Sequence, residues 1–353
     1  MKLPNFHEYE TFYITRYMGS KYRLLELILP RIEDSISGDG VVVDLMAGTH
    51  SIGYALKARH RIVANDIQAY SQVFGSALLL NDAYPSVADR FESDLGALEV
   101  LPGSEGWFSR EYSDTYFSGP QCREIEEIRS RIAMLPGDSI LANIYLTALC
   151  YAMGLCQSSP GHYAQFMPSD HSRVEALRRK SIIDHFRDKC SNLQIRTGSQ
   201  GCDVFRHNAF EFLESPDLCA LAPPGSVVYL DPPYTSAQYS RYYHLMETVV
   251  LGDSPKTQFK AKYRSDRHQS PFCATTKVAT AFRRVIETAS ARHWNLVISY
   301  SSHGLLKIEE LRQLLQSHFK EVVVTSQRYS HSMQGRGQVD DRFEFVLQAL
   351  SPT

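Results

Sequence analysis

Val41-Val42-Val43-Asp44-Leu45-Met46-Ala47-Gly48-Thr49-His50 and Arg61-Ile62-Val63-Ala64-Asn65-Asp66 are two short apolar runs, each ending in an acid. A turn at Gly48 closes the first, and residues 51–59 between them carry a helix-like pattern. Strand, helix, strand at this spacing is a βαβ unit and implies a parallel sheet. Strand-like runs return at Val227-Val228-Tyr229-Leu230-Asp231, Leu296-Val297-Ile298-Ser299-Tyr300, Glu321-Val322-Val323-Val324-Thr325 and Phe343-Glu344-Phe345-Val346-Leu347. Helical patterns separate the first of these. The last two follow each other without a helix, which marks an antiparallel pair. Residues 68–196 read as mostly helical, as at 142–155 and 173–186. The expected architecture is α/β: a sheet domain from 1–67 and 197–353, interrupted by a helical insertion at 68–196.

The 353 residues allow two domains of ordinary size. Hydrophobic residues at 43% and charged residues at 22% are ordinary globular values, which argues against long disorder or a fibrous repeat. The 37 Lys+Arg against 39 Asp+Glu leave a formal charge of -2, which speaks against a uniformly basic nucleic-acid coat but not against a local basic cleft. Residues 1–10 have no charged start followed by an apolar core, so no secretory signal is expected. The most apolar run, 140–156, is interrupted by Asn143 and Thr147 and is expected to be a buried helix and not a membrane span. The seven cysteines form no C-x-x-C pair and are odd in number, so reduced core thiols in a cytoplasmic protein are expected. No metal-spaced cluster appears.

The chemistry concentrates in Asp231-Pro232-Pro233-Tyr234, directly after an apolar strand. Open α/β sheets place their ligand sites at the carboxyl ends of strands. Neither proline can donate a backbone hydrogen bond, so the loop is rich in acceptors. Acceptors beside an aromatic face suit an amino group on a flat ring. The exocyclic amine of adenine is a poor nucleophile because its lone pair is delocalised into the ring. The Asp231 carboxylate and the Pro232 carbonyl can each accept one N–H and so localise that lone pair. Tyr234 can stack on the base. A base inside a duplex must be flipped out to be reached.

With this element in place, the sequence resembles the adenine-specific DNA methyltransferases of the Dam-like group, in order from about Tyr17 to about Leu347. The resemblance implies a Rossmann-like methyltransferase fold with a mixed seven-stranded sheet whose last strand is antiparallel. It implies S-adenosylmethionine as cofactor and assigns Asp231, Pro232, Pro233 and Tyr234 to catalysis. Arg16-Tyr17-Met18-Gly19-Ser20-Lys21 looks like the segment that holds the methionine end of the cofactor, through Tyr17, Gly19, Ser20 and Lys21. Asp44, Met46, Gly48 and Thr49 resemble the cofactor loop, although Met46 replaces a common Phe and His50 a common second glycine. Asp66 sits where an acid accepts the ribose hydroxyls. Asn208 and Ala209, in Arg206-His207-Asn208-Ala209-Phe210, match the segment that contacts the cofactor's adenine, where Asp is usual at the Asn208 position. Asn208 also reads as a helix N-cap.

Tyr239 and Tyr243 lie four apart, on one face of a helix if helical, and are candidates to wall the base or cofactor pocket. An aromatic packing stripe is the alternative. Lys260, Lys262, Arg264 and Arg267 lie in a stretch that reads as an exposed loop suited to phosphate contact. His162 and His268 are expected to be structural or DNA-contacting. The expected partner is duplex DNA, with a cognate restriction endonuclease as a candidate second partner and no membrane. The expected location is the cytoplasm, on the nucleoid. The alternatives are an RNA-amine methyltransferase and a homologue that binds but no longer catalyses, the latter motivated by Met46, His50 and Asn208.

Overall fold

The computed structural model describes residues 21–100, 103, 105–135, 139–329 and 342–351. The chain divides into two units. Of the described residues, one comprises those of 21–67, 199–238 and 269–351, and the other those of 68–198 and 239–268.

The first unit carries strands β1 (Val42–Asp44), β2 (Ile62–Asn65), β3 (Cys202–Phe205) and β4 (Val227–Leu230). The short strands β5 (Thr257–Gln258) and β6 (Tyr263–Arg264) belong to the other unit, and β7 (Asn295–Ser301), β8 (Glu321–Tyr329) and β9 (Arg342–Leu350) complete the sheet. The seven-stranded order is β3-β2-β1-β4-β7-β9-β8. The pairs β1–β2, β2–β3, β1–β4 and β4–β7 are parallel, and β9 runs antiparallel to both β7 and β8. Every residue of β1, β2, β4 and β7 is buried. Their runs of Val and Ile without polar alternation arise because both faces of a parallel sheet are covered. Phe282, Val285, Ile286 and Ala289 of the helix Val278–Ala291, with Leu311 and Leu315 of the helix Ile308–Gln316, join Val228, Leu230, Leu296 and Ile298 in one core. Each fully buried large side chain contributes roughly 1.5–3 kcal/mol. Trp294 is anchored within this core by its indole N–H, which donates to the Ala222 carbonyl at 2.9 Å.

Two strand features escape the sequence reading. Strand β3 lies at the sheet edge, and all four of its residues are only half-buried, so it carries no apolar run. The stretch 257–264 forms the β5–β6 hairpin instead of a plain loop.

The second unit is built around the helix Ser139–Cys156. Ile144, Tyr145, Ala148, Leu149, Ala152 and Met153 within it are fully buried. The helices Ala69–Leu78, Gly119–Ala133 and Ile182–Asn192 pack on it. The helical pattern expected across 173–186 is in fact two helices, Val174–Arg178 and Ile182–Asn192, because the Ser181 hydroxyl caps the second by accepting from the Asp184 N–H at 3.1 Å. Residues 239–268, expected with the sheet, pack with these helices, whereas 68–198 forms one unit with them.

Two glycines control the approach to β1 and β4. Gly225 has φ of +86°, and a Cβ there would lie 2.6 Å from the Ser37 carbonyl oxygen. A Cβ on Gly40 would lie 2.4 Å from the Gly225 carbonyl oxygen. The two loops meet through Ser37 N–H donating to Gly225 O at 3.1 Å, which sets the level at which both strands start. Gly225→Ala is therefore expected to lower the unfolding free energy by about 2 kcal/mol or more, from left-handed backbone strain plus the clash. Denaturant titration would register this as a lower midpoint at an unchanged slope.

Candidate active site

Strand β1 is central, and the chain passes from it to β2 and β3 on one side and returns to β4 on the other. The carboxyl ends of β1 and β4 are therefore the point where the connections diverge, which is where open α/β sheets place their ligand sites. Asp44 ends β1 and is paired in register with Tyr229, so Asp231 lies two residues farther along the neighbouring strand.

The Gly48 loop follows Asp44. Leu45 N–H donates to the Tyr229 carbonyl at 3.1 Å, and Ala47 N–H to the Asn65 carbonyl at 2.9 Å. Gly48, with φ of +53°, directs its N–H to the Asp66 carboxylate at 2.9 Å. His50 takes a left-handed conformation (φ +59°), as histidine tolerates better than most residues, and begins the helix Ser51–Leu56. The loop thus closes without the second glycine. Met46 packs against the core, and the hydroxyls of Thr49 and Ser51 lie 3.1 Å apart.

Asn65 was not singled out from the sequence, yet it ties the sheet end together. Its amide nitrogen donates to the carbonyls of Leu45 (3.2 Å) and His207 (3.1 Å), and its amide oxygen accepts from the His207 N–H (3.0 Å). The side chain is fully buried. One residue thereby fixes the Gly48 loop, the Asp66 turn and the segment entering Asn208. Asn208 caps the helix Ala209–Leu213, its Oδ1 accepting from the Phe210 N–H at 3.0 Å. An uncharged amide serves this cap as well as the usual acid would.

The Asp231 loop is held from three directions. Lys21 Nζ lies 2.7 Å from Asp231 Oδ1 and 5.3 Å from the Tyr234 ring centroid. The Leu305 N–H donates to the Tyr234 carbonyl at 2.9 Å. The Tyr234 ring meets Tyr300 edge-on, at 6.0 Å and 86°. Tyr300 is itself locked, because its hydroxyl accepts from the Leu306 N–H at 3.1 Å and Gly304 leaves room for its ring. Pro232 and Pro233 are buried, while Asp231 and Tyr234 remain half-buried.

Asp44, Asp66 and Asp231 make this end of the sheet strongly acidic. Burial raises the Asp44 carboxyl well above the usual carboxylate range, and the charges of Asp231 and Asp66 raise it further. Asp44 Oδ1 is buried without a hydrogen-bond partner among the described residues. Burial also raises Asp231, opposed by the ammonium of Lys21. An orphaned buried carboxylate oxygen among three acids fits a cationic ligand, as S-adenosylmethionine is through its sulfonium and ammonium groups. Tyr17, Gly19 and Ser20 lie outside the described residues.

The other candidates lie in the second unit. Tyr239 belongs to the helix Tyr239–Tyr242, and Tyr243, with φ of -123°, separates it from the helix His244–Leu251, so the two tyrosines do not share one continuous helix. Tyr243 is 1% exposed and packs against Tyr70 with centroids 5.8 Å apart, a packing role. Glu247 anchors the helix Ala69–Leu78 by accepting the N–H groups of Ala69 (2.9 Å) and Tyr70 (3.1 Å). Arg264 is buried and chelated by Asp253 (2.6 Å) and Asp266 (2.9 Å), so it braces the hairpin instead of facing a phosphate. Lys262 donates to the Glu111 carbonyl. Lys260 is exposed, with its ammonium 5.8 Å from the Phe166 ring, and Arg267 lies over Tyr263 at 5.5 Å. The His162 ring accepts from the Ala164 N–H at 3.2 Å, and the His268 carbonyl accepts from the Ser240 hydroxyl at 2.6 Å.

Residues 17–328 match the family model described as D12 class N6 adenine-specific DNA methyltransferase. Among curated relatives, the chain is 28% identical over 322 residues to Type II methyltransferase M.FokI of Planomicrobium okeanokoites, covering 86% of this chain and 47% of the relative. It is 24% identical over 326 residues to Modification methylase StsI of Streptococcus sanguinis, covering 88% and 47%. It is 25% identical over 325 residues to Type II methyltransferase M.NlaIII of Neisseria lactamica, covering 88% and 90%. The chain thus spans about half the length of the first two and nearly all of the third. Among the described residues no helix is long and apolar enough to cross a membrane.

The raised Asp44 carboxyl carries a stability consequence. Between its ordinary value near 4 and its folded value, the folded state holds a proton that the unfolded state has released, so stability falls as pH rises through that window. Asp44→Asn removes this penalty. Thermal melts across a pH series are expected to show the variant more stable than wild type, with an advantage that grows as pH rises from the ordinary carboxylate range up to the folded value and is constant above it. Calorimetry is expected to show weakened S-adenosylmethionine binding by the same variant.

Proposed function

The chain belongs to the D12 class of N6 adenine-specific DNA methyltransferases, and on that premise we propose that it methylates the exocyclic N6 amine of a flipped-out adenine in duplex DNA. The observation that supports this reading most directly is the Asp231-Pro232-Pro233-Tyr234 loop, leaving β4 at the divergence of β1 and β4 and fixed there by Lys21, Leu305 and Tyr300. Lys21, Asp44, Gly48, Asp66 and the Asn208–Ala209 segment are the described residues that would hold S-adenosylmethionine. When bound, it supplies an electrophilic methyl group on a sulfonium.

The chain's own contribution is positioning and electrostatics. The Asp231 carboxylate and the Pro232 carbonyl each accept one N–H of the amine, turning its lone pair out of conjugation and toward the methyl. This role requires Asp231 to be ionised. Burial works against ionisation and Lys21 favours it. Tyr234, held edge-on by Tyr300, presents a ring face to the base. Stacking there is worth roughly 1–3 kcal/mol, which offsets part of the cost of flipping. The proton that the amine loses on gaining the methyl passes from the Asp231 side of the site to solvent.

The names of the relatives support a role in DNA modification, with a cognate restriction endonuclease as the proposed partner and the cytoplasm, where chromosomal DNA lies, as the proposed location. Labelled S-adenosylmethionine with duplex DNA, followed by sequencing that reports methyladenine, tests substrate, reaction and target site together. Asp231→Ala is expected to reduce transfer at least about a hundredfold while cofactor binding persists. Retained transfer in that variant would overturn the role of Asp231. Transfer to RNA but not DNA, or cofactor binding without turnover on any genomic DNA, would overturn the proposed function.

A further inference from the structure

A lysine buried away from water is costly unless its charge is compensated. Lys21 is 5% exposed and opens the short helical turn Lys21–Leu24. That turn packs on the helix Ser51–Leu56 and runs directly into the helix Leu25–Glu33, which packs on β7 and β9. In register, Asp44 pairs with Tyr229, Tyr229 with Val297 and Val297 with Gln348, so these side chains share one face of the sheet. The chain just after the helix is pinned to that face. The Ser35 hydroxyl accepts from the Gln348 amide at 2.9 Å, and the Ser35 carbonyl accepts from the Asn295 amide at 2.6 Å. Lys21 is thus carried on a mount fixed to the sheet.

The compensation comes from the loop after β4. Lys21 Nζ lies 2.7 Å from Asp231 Oδ1 and 5.3 Å from the Tyr234 ring centroid, within cation–π reach. The two oxygens of the Asp231 carboxylate have unlike surroundings. Oδ1 is shut off from water, and no hydrogen bond of good geometry reaches it among the described residues, so the ammonium offsets its burial. The side chain as a whole is still 18% exposed. With Oδ1 shut off, that exposure falls on Oδ2 and the β-carbon. The Tyr229 hydroxyl, deeper on the same face, is engaged with Ser299 Oγ at 2.8 Å. One carboxylate oxygen is committed to a cation of the protein, and the other is left for a donor from outside.

The charged and titratable groups about Asp231 are Lys21, Asp44 and Tyr229, with Asp66 acting on Asp44. Burial raises the Asp231 carboxyl, and Lys21 opposes that rise. Burial raises Asp44 and Tyr229 well above their ordinary values, and it also raises Tyr300, which meets the Tyr234 ring. As pH falls, Asp44 therefore takes up its proton early, and the two tyrosines stay neutral throughout. Lys21 is the partner that remains charged on the acid side, where Asp231 has to be kept ionised.

We propose that Lys21 is a positioning residue for methyl transfer: as the internal counter-ion of Asp231, it holds one carboxylate oxygen in place and leaves the other, still charged, to accept the N–H of the amine. This role rests on the proposed methylation of adenine and gives Lys21 a task besides holding the cofactor. A carboxylate fixed through one oxygen presents the other in a set direction, which an acceptor needs if it is to localise a lone pair.

The experiment follows the single-turnover rate of the full chain across pH, at saturating S-adenosylmethionine and with a duplex carrying the sequence that the wild-type protein modifies. The wild-type rate is expected to fall on the acid side as Asp231 takes up a proton. Lys21→Met removes the ammonium but keeps an apolar stem, and it is expected to move that acid limb to higher pH by about one unit or more. Its loss is therefore expected to reach about tenfold or more on the acid side and to shrink as pH rises. Lys21→Gln keeps a donor without the charge and is expected to move the limb the same way. Lys21→Arg keeps the charge and is expected to leave the limb within about half a unit of wild type. A limb that stays in place in both neutral variants, or a loss of the same size at every pH, would overturn the positioning role. So would full recovery of a neutral variant when more cofactor is supplied. A wild-type protein that methylates no DNA would overturn the proposed function instead.

Discussion

Strand β1 leaves the chain nowhere to go but outward in two directions. Its neighbours β2 and β4 are both parallel to it, so every connection must cross a face of the sheet, and the two crossings part at the carboxyl ends of β1 and β4. That constraint collects Asp44, Asp66, the Asn208 cap and the Asp231 loop at one end of the sheet, although they are spread over nearly two hundred residues of sequence. Asn65 makes the arrangement rigid. It sits between the strands on either side of it and satisfies their terminal backbone groups with one side chain. Without it, the loops at this end would each have to be ordered separately, at a conformational cost of roughly 1–2 kcal/mol per residue.

The same convergence works against stability. Three carboxylates at one sheet end, one of them fully buried with an orphaned oxygen, raise the energy of the folded chain on its own. Lys21 offsets this at Asp231. The strain is stored where a cation would release it, so binding energy and folding energy draw on the same charges. The neighbouring Tyr234–Tyr300 contact is of another kind. It is apolar and edge-on, indifferent to charge, and so keeps the ring in place whatever the protonation of Asp231.

Much of this was legible in the sequence, for a physical reason. Strands buried on both faces must be apolar throughout, so β1, β2, β4 and β7 stand out as runs of Val, Ile and Leu, and the acids that end β1, β2 and β4 are conspicuous against them. Strand β3 was not legible because an edge strand needs no such run. Cys202-Asp203-Val204-Phe205 is ordered by backbone pairing to β2, which leaves no mark on side-chain type. Asn65 was overlooked beside Asp66 because its role is hydrogen bonding to three backbone groups, one 20 residues away and two 142 residues away. Tyr243 illustrates the reverse case. Its spacing from Tyr239 suits a shared face, but the backbone breaks between two helices there and the ring is packed inside.

The charge balance has to be read through the same lens. A formal charge of -2 seemed to weigh against nucleic acid, and the cations of 256–267 to weigh for it. Neither count predicts the surface. Arg264 is consumed by two aspartates of its own hairpin, and Lys262 turns inward to Glu111. The acids of the sheet end are likewise local: Asp44 is buried and Asp231 is paired with Lys21. What distinguishes the cations available to a phosphate is the absence of a carboxylate beside them, and Arg241, which lies outside the conspicuous basic stretch, meets that criterion where Arg264 within it does not. Net composition therefore says less about the charge available to a polyanion than the pairing of each cation does.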